Sequence, residues 1–248
     1  MATTNSHPTP GHPSESSTPF VAADHANDNK QHLILAASGS VATIKLPNIA
    51  RALSQHANLS IRILLTKPAE NFLAGQSAEQ PLLESLYELE NVDGLYRDED
   101  EWDRPWTRGG GILHIELRRW ADLMVIAPLS ANSLAKMTMG LADNLLLSVV
   151  RAWDTTGLID GRNGGGKKRI VVAPAMNTAM WRHPVTMKQI RVLEEDWGVG
   201  GHDDEGWVEV LRPVEKELAC GDVGDGAMRN WNEIVSVIEA RLGLGHDR

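Results

Sequence analysis

Four short segments of the chain combine residue types that can bind an anion, move a proton or supply a thiol. Ser38-Gly39-Ser40-Val41 places small and hydroxyl-bearing residues between an apolar run and a helical stretch. Such a turn offers backbone N–H groups and hydroxyls to an anion at a helix N-terminus, where the helix dipole favours negative charge. The segment matches neither the dinucleotide G-x-G-x-x-G pattern nor the Walker loop, so phosphate binding and a plain tight turn both stay open. Ser130-Ala131-Asn132-Ser133 is a second polar helix start after a different apolar run. Ser and Asn are also ordinary helix caps.

His114 stands between Leu113 and Ile115. An imidazole there can manage protons near neutral pH, or serve as a hydrogen-bonded structural group. Asn177 follows Pro174-Ala175-Met176, where an amide can grip a ligand or simply turn the chain. Cys220 is the only cysteine, and Gly221, Gly224 and Gly226 follow it. That spacing suits a flexible flap carrying a thiol; a buried inert cysteine beside a loop is the competing reading. A single thiol closes no internal disulfide and builds no Cys-rich zinc site. The nine histidines show no H-E-x-x-H spacing, so no metal is indicated.

The elements that must position these residues alternate between strand-like and helix-like runs, the pattern of a parallel sheet covered by helices. Residues 33–37, 61–65, 123–127 and 170–173 are short apolar runs without polar alternation, as expected of strands buried on both faces. A third short strand is expected near 82–86. Helices are expected to about His56, over 113–120, over 130–153 with a break near Gly140, over 184–197, and over 232–242. Residues 98–111 read as an exposed, charged, tryptophan-bearing loop, and 157–166, with five glycines, as a mobile surface loop. Residues 1–30 hold few apolar positions and are expected to form a disordered tail, leaving 31–248 as one domain. In an open parallel sheet, ligands bind outside the carboxyl ends of the strands. Ser38–Ser40, Thr66-Lys67, Pro128–Ser130 and Pro174–Asn177 should therefore face one crevice.

Composition narrows the partners. With 24 basic and 33 acidic residues the formal charge is −9, and no basic face is visible to attract a phosphate backbone, so nucleic acid is not expected. The run Lys167-Lys168-Arg169 reads as a solvated loop tip. Eight tryptophans suit core and oligomer contacts better than a base-stacking platform. No stretch approaches the roughly 18 apolar residues of a membrane helix, and the start of the chain lacks a signal-peptide core, so a cytoplasmic protein is expected.

Taken in order, the motifs are more specific than any one of them. Ala36–Ala42, Leu113–Asp122, Ala127–Leu134, Pro174–Trp181 and Leu218–Asp222, with Asp143–Leu146 and Arg151–Asp154, resemble the phosphopantothenoylcysteine decarboxylases, within the homo-oligomeric flavin-containing cysteine decarboxylase family. The resemblance runs from about His32 to Leu242. It implies an α/β, Rossmann-like (flavodoxin-like) open parallel sheet with helices on both faces in three layers. It also implies FMN as cofactor: Gly39, Ser40 and Val41 match the turn at the FMN phosphate, and Thr66 and Lys67 a second flavin-contacting strand end. Phe72 matches a position against the flavin ring, Ser130, Ala131, Asn132 and Ser133 the helix start that completes the site, and Ala175 a close backbone approach.

The same resemblance implies that His114 is the essential histidine, that Asn177 and Met180 grip the substrate carboxylate, and that Cys220 donates a proton late in the reaction. Ala219 joins the substrate contacts, and Arg119 is expected to anchor substrate at a subunit interface. The implied reaction converts 4'-phosphopantothenoyl-L-cysteine to 4'-phosphopantetheine on the way to coenzyme A. The cysteinyl thiol is oxidised to a thioaldehyde, CO2 is lost into that electron sink, and the enethiolate is reduced again. A homotrimer is implied, with a heterotrimer of paralogues as a variant. Two other readings are weighed: a regulatory subunit that inhibits a protein phosphatase, and a peptidyl-cysteine decarboxylase or flavin prenyltransferase. The presence of His114, Asn177 and Cys220 together, and the absence of a long acidic tail, favour the self-sufficient enzyme. Residues 155–169 and 198–212 exceed the family pattern and are expected to be local insertions.

Overall fold

The computed structural model describes residues 20–160, 166–200, 206–217 and 223–245. The strand-forming runs at 31–37, 59–65, 123–129 and 169–174 are largely apolar and rich in Leu, Ile and Val, which suits a sheet covered on both faces. In chain order the elements are β1 (Gln31–Ala37), α1 (Leu46–Leu53), β2 (Leu59–Leu65), the short α2 (Lys67–Glu70), a small hairpin β3 (Ala74–Ser77) and β4 (Gln80–Leu82), and β5 (Val92–Tyr96). Next come α3 (Leu113–Trp120), β6 (Leu123–Leu129), α4 (Ala131–Thr138), α5 (Leu145–Arg151) and β7 (Arg169–Pro174). The chain continues through α6 (Thr178–Trp181), α7 (Pro184–Arg191), β8 (Val208–Val210), a second hairpin β9 (Val214–Glu217) and β10 (Val223–Ala227), and α8 (Trp231–Leu242).

Six strands form one sheet in the order β5-β2-β1-β6-β7-β8, all parallel. Odd and even positions of β1 feed opposite cores, as the period of two requires. Leu33, Leu35 and Ala37 pack with Leu46, Ile49 and Leu53 of α1 and Ile234, Ile238 and Leu242 of α8. Ile34 and Ala36 pack on the other side with Leu117 and Trp120 of α3, Leu134 of α4, Leu146 of α5 and Ile190 of α7. The chain thus forms the expected three-layer α/β architecture, a sheet between two helical layers.

Four expectations change. The run near 82–86 is not a strand of the sheet: Leu83–Glu88 forms a 3-10 turn in which Leu83 and Leu86 are buried three residues apart, while Leu82 is exposed. The third parallel strand is β5, whose Asp93 and Gly94 hid it; as an edge strand it needs only one well-covered face. The segment 198–212 is not merely an inserted loop, because β8 within it adds the sixth strand beside β7. Finally, residues 20–30 are not a free tail. Phe20 stacks on the Arg62 guanidinium at 3.9 Å and meets Trp120 edge-on at 6.1 Å. The Ala22 N–H donates to Glu116 Oε2 at 2.8 Å. One aromatic and one buried amide are enough to hold a polar segment whose composition reads as disordered. The break near Gly140 falls where expected, at a positive φ of 72° between α4 and α5.

Candidate active site

The strand register sets the site. Ala37 pairs with Leu65, Ala36 with Ile126, and Leu129 with Pro174, so the carboxyl ends of β2, β1, β6 and β7 stand side by side. The chain turns back in opposite directions on either side of the β1–β6 pair, which makes that pair the topological switch point of the sheet. Gly39–Val41, Thr66-Lys67, Ser130–Ser133 and Ala175–Asn177 therefore lie along one edge, as the sequence led one to expect.

Ser38 joins two of these turns. Its N–H and Oγ both donate to the Pro128 carbonyl, at 3.0 and 3.1 Å, and its Oγ accepts the Ser130 N–H at 2.8 Å. The turn after β1 and the start of α4 are thus held by one fully buried hydroxyl. Gly39 is required by close approach: a Cβ there would lie 2.6 Å from the Cβ of Pro68, at the start of α2. Ser130 caps α4, its Oγ accepting the Ser133 N–H at 3.3 Å. The Ala131 and Asn132 amides lie in the first turn, where helical N–H groups lack intrahelical partners. Val41, Lys67 and Asn132 are exposed, and Phe72 is half-buried behind α2.

These residues fit a bound flavin phosphate and ring system on one specific count. Thr66 is buried at the end of β2, yet its Oγ1 has no hydrogen-bond partner among the described residues. A buried hydroxyl left unpaired is costly, and a ligand acceptor or donor at the strand end would satisfy it.

Asn177 caps α6 with its side chain: Oδ1 accepts the Ala179 N–H at 2.8 Å. Only the oxygen can accept that N–H, so Nδ2 is left as the outward donor of an exposed side chain. The turn-forming role of Asn177 is thus observed, and the cap orients the outward amide. Met180 stands exposed one turn further on. Ala175 is buried, its N–H donating to the Leu129 carbonyl at 3.0 Å. The next amide, Met176, reaches out of the sheet to the Gly226 carbonyl of β10 at 3.0 Å. The β9–β10 hairpin is thereby fastened beside Asn177. Cys220 and Ala219 fall between β9 and β10 in the sequence and lie outside the described residues.

α3 precedes β6 and runs against it, which brings its first turn to the same edge. His114 Nδ1 lies 2.8 Å from Glu101 Oε1. Glu101 sits on the 3-10 turn Asp98–Trp102, in the stretch expected to be an exposed loop, and its side chain is only 4% exposed. Asp98 of the same turn accepts the Lys67 N–H at 3.3 Å and the Leu145 N–H at 3.2 Å, tying the end of β2 to the start of α5. Burial pushes the Asp98 carboxyl above its ordinary value against those two donors. Arg119 is not brought into this crevice within one chain. It lies five residues along α3 from His114, about 7.5 Å further from the edge, and pairs with Glu116 at 2.8 Å. Asp98 and Glu101 are candidate-site residues that the sequence reading missed. Both looked like solvated charge; Ser38 was already placed in the turn after β1, but its bond to the Ser130 N–H was not foreseen.

Among the described residues no helix is long and apolar enough to cross a membrane. Residues 21–243 match the family model described as Flavoprotein. Over 210 residues the chain is 43% identical to a probable phosphopantothenoylcysteine decarboxylase of Arabidopsis thaliana, covering 84% of this chain and 87% of that protein. It is 38% identical over 226 residues to Coenzyme A biosynthesis protein 3 of Saccharomyces cerevisiae, covering 87% of this chain but only 34% of that longer relative. A solved structure of a PPC decarboxylase cysteine-to-serine mutant complexed with pantothenoylaminoethenethiol superposes with a TM-score of 0.66 at 40% identity, over 85% of this chain and 97% of that one. The FMN binding protein AtHal3 gives 0.65 at 40% identity, over 88% and 99%.

Proposed function

Because the chain belongs to the Flavoprotein family, we propose that it is an FMN-dependent decarboxylase of 4'-phosphopantothenoyl-L-cysteine in coenzyme A biosynthesis. The names of its relatives, at 43% identity across most of both chains, support that activity, and the FMN-binding neighbour supports the cofactor. The observation that carries the reading is the outward Nδ2 of Asn177 standing at the same sheet edge as the Thr66 hydroxyl, which has no partner among the described residues. A carboxylate and a flavin then have separate receptors along one sheet edge, at the ends of β7 and β2, with β1 and β6 between them.

In this reading Gly39–Val41 and the first turn of α4 receive the FMN phosphate, and Thr66 and Lys67 meet the flavin from β2. A flavin held there would supply a reversible two-electron oxidation of the substrate's CH2–SH group, which would make the decarboxylation redox-neutral. Asn177 holds the departing carboxylate by a neutral hydrogen bond. An ionic grip would stabilise the ground state that must lose its charge to CO2. His114 receives and returns protons near the reacting sulfur. Cys220, the only cysteine, supplies the late proton from the hairpin that Met176 and Gly226 anchor. The captured pantothenoylaminoethenethiol in a relative lacking a cysteine supports that order of events. A trimer completes the site from a neighbouring subunit, where Arg119 acts.

The test is to purify the protein, record its flavin spectrum and assay CO2 release from 4'-phosphopantothenoyl-L-cysteine, with Cys220→Ser alongside. The expected result is a yellow protein that turns over and a mutant that stalls at an oxidised or enethiol species. A yellow protein without turnover would overturn the self-sufficient enzyme and leave a partner-dependent or phosphatase-regulating subunit.

A further inference from the structure

We propose that Glu101 is a positioning residue that fixes the tautomer and orientation of His114. The proposal rests on reading His114 as the proton-handling group of the site. The contact is one hydrogen bond of 2.8 Å from Nδ1 to Oε1, between a side chain 22% exposed and one 4% exposed. A carboxylate oxygen accepts, so the shared proton belongs to Nδ1 and Nε2 is left as the ring atom able to accept. A carboxylate that orients an imidazole in this way is the third member of the general nucleophile–base–orienter arrangement.

Glu101 is poorly explained as a stabilising residue alone. Its second oxygen, Oε2, is buried without a hydrogen-bond partner among the described residues. Burying a half-satisfied carboxylate costs stability, and such a cost persists where the group serves a site. The turn that carries it is also held firmly. The Arg97 N–H donates to Asp100 Oδ2 at 2.6 Å, and Asp98 is pinned to Lys67 and Leu145 as described above. The clamp on Asp98 reaches the flavin end of β2 on one side, so the aim of His114 is set relative to the cofactor turn. In this proposal Glu101 acts through the ring.

The test uses the flavin-loaded protein with 15N-labelled histidine. Long-range 1H–15N spectra, with His114→Asn to assign the ring, are expected to show His114 protonated at Nδ1 when neutral. In Glu101→Gln that signature is expected to be lost, kcat to fall on the order of 10²-fold, and KM and the flavin spectrum to stay near wild type. The double variant Glu101→Gln/His114→Asn is expected to be no slower than His114→Asn alone, since two residues acting as one unit are not additive. A wild-type ring protonated at Nε2 would overturn the proposal, even if the variants fail to fold. So would a Glu101→Gln enzyme with wild-type kcat beside an inactive His114→Asn, and that pair of results would leave the reading of the site intact. Wild-type turnover in His114→Asn would instead sink the role of His114 itself.

Discussion

The Met176 N–H meets the Gly226 carbonyl at 3.0 Å, and this bond fastens the β9–β10 hairpin to the strand end that presents Asn177. Arg182, just beyond α6, adds an ion pair to Asp225 at 3.1 Å on the same side. The hairpin that leads to Cys220 therefore shares its base with the proposed carboxylate receptor. A Cβ at Gly226 would lie 2.2 Å from the Met176 carbonyl oxygen, which is backbone and cannot swing aside. Gly226→Ala is expected to displace the hairpin and lower turnover on the order of 10²-fold, while flavin content is retained. Equal loss of flavin and activity would show that the hairpin also supports the cofactor site.

The unpaired Thr66 hydroxyl separates a ligand role from a structural one. Thr66→Val keeps the shape of the side chain and removes a polar atom that has no partner within the described chain. The apo-protein is expected to melt at the same temperature or higher. FMN affinity is expected to fall about tenfold, roughly the worth of one hydrogen bond in a site that excludes water. A fluorescence-quenching titration with FMN and a thermal melt of the apo-protein decide it. Unchanged affinity would remove Thr66 from the flavin site.

Ser38 makes the opposite prediction. Ser38→Ala leaves the buried Ser130 N–H without its acceptor and breaks the link between the turn after β1 and the start of α4. Stability is expected to fall by about 1–3 kcal/mol, with weaker FMN binding because both turns relax. Urea unfolding of the apo-protein measures the first effect and flavin titration the second.

Asp154 provides a pH signature. It is buried, which alone would raise its pKa, but the N–H groups of Asp160, Ile159, Thr156 and Gly157 and the Thr156 hydroxyl donate to it and hold its carboxyl well below the ordinary value of 3.8. A folded-state pKa below the unfolded one contributes stability that is complete above the ordinary carboxylate range and fades as pH falls below about 4. Asp154→Asn is expected to unfold more easily than wild type at pH 7, with the gap narrowing below pH 4. Chemical denaturation across that range checks the sign.

Phe20 tests whether the N-terminal segment belongs to the domain. Arg62 is buried, with its guanidinium between Phe20 at 3.9 Å and Trp120 at 4.9 Å and bonded to the Tyr96 hydroxyl. Phe20→Ala is expected to cost about 1–2 kcal/mol, whereas a free tail would cost nothing. Thermal melting of the two proteins is sufficient.

Much of this molecule was legible before folding was considered. The apolar runs around Leu33, Ile61, Leu123 and Ile170 set a two-sided parallel sheet, because an unbroken aliphatic run can be buried only between two layers. The small and polar residues that end those runs marked the crevice edge, and Gly140 marked the break between two helices. These are local properties, carried by composition and by a period of two or 3.6. The tertiary structure alone decided which distant groups meet. Ser38 finds the Ser130 amide 92 positions away, and Met176 finds Gly226 across the hairpin. Asp93 and Gly94 disguised an edge strand, and a polar N-terminal stretch became structured through Phe20 and Ala22. The acidic run at residues 98–101 reads as solvated charge in one dimension. Folding buries Glu101 against His114, because a carboxylate's surroundings depend on neighbours that no local pattern encodes.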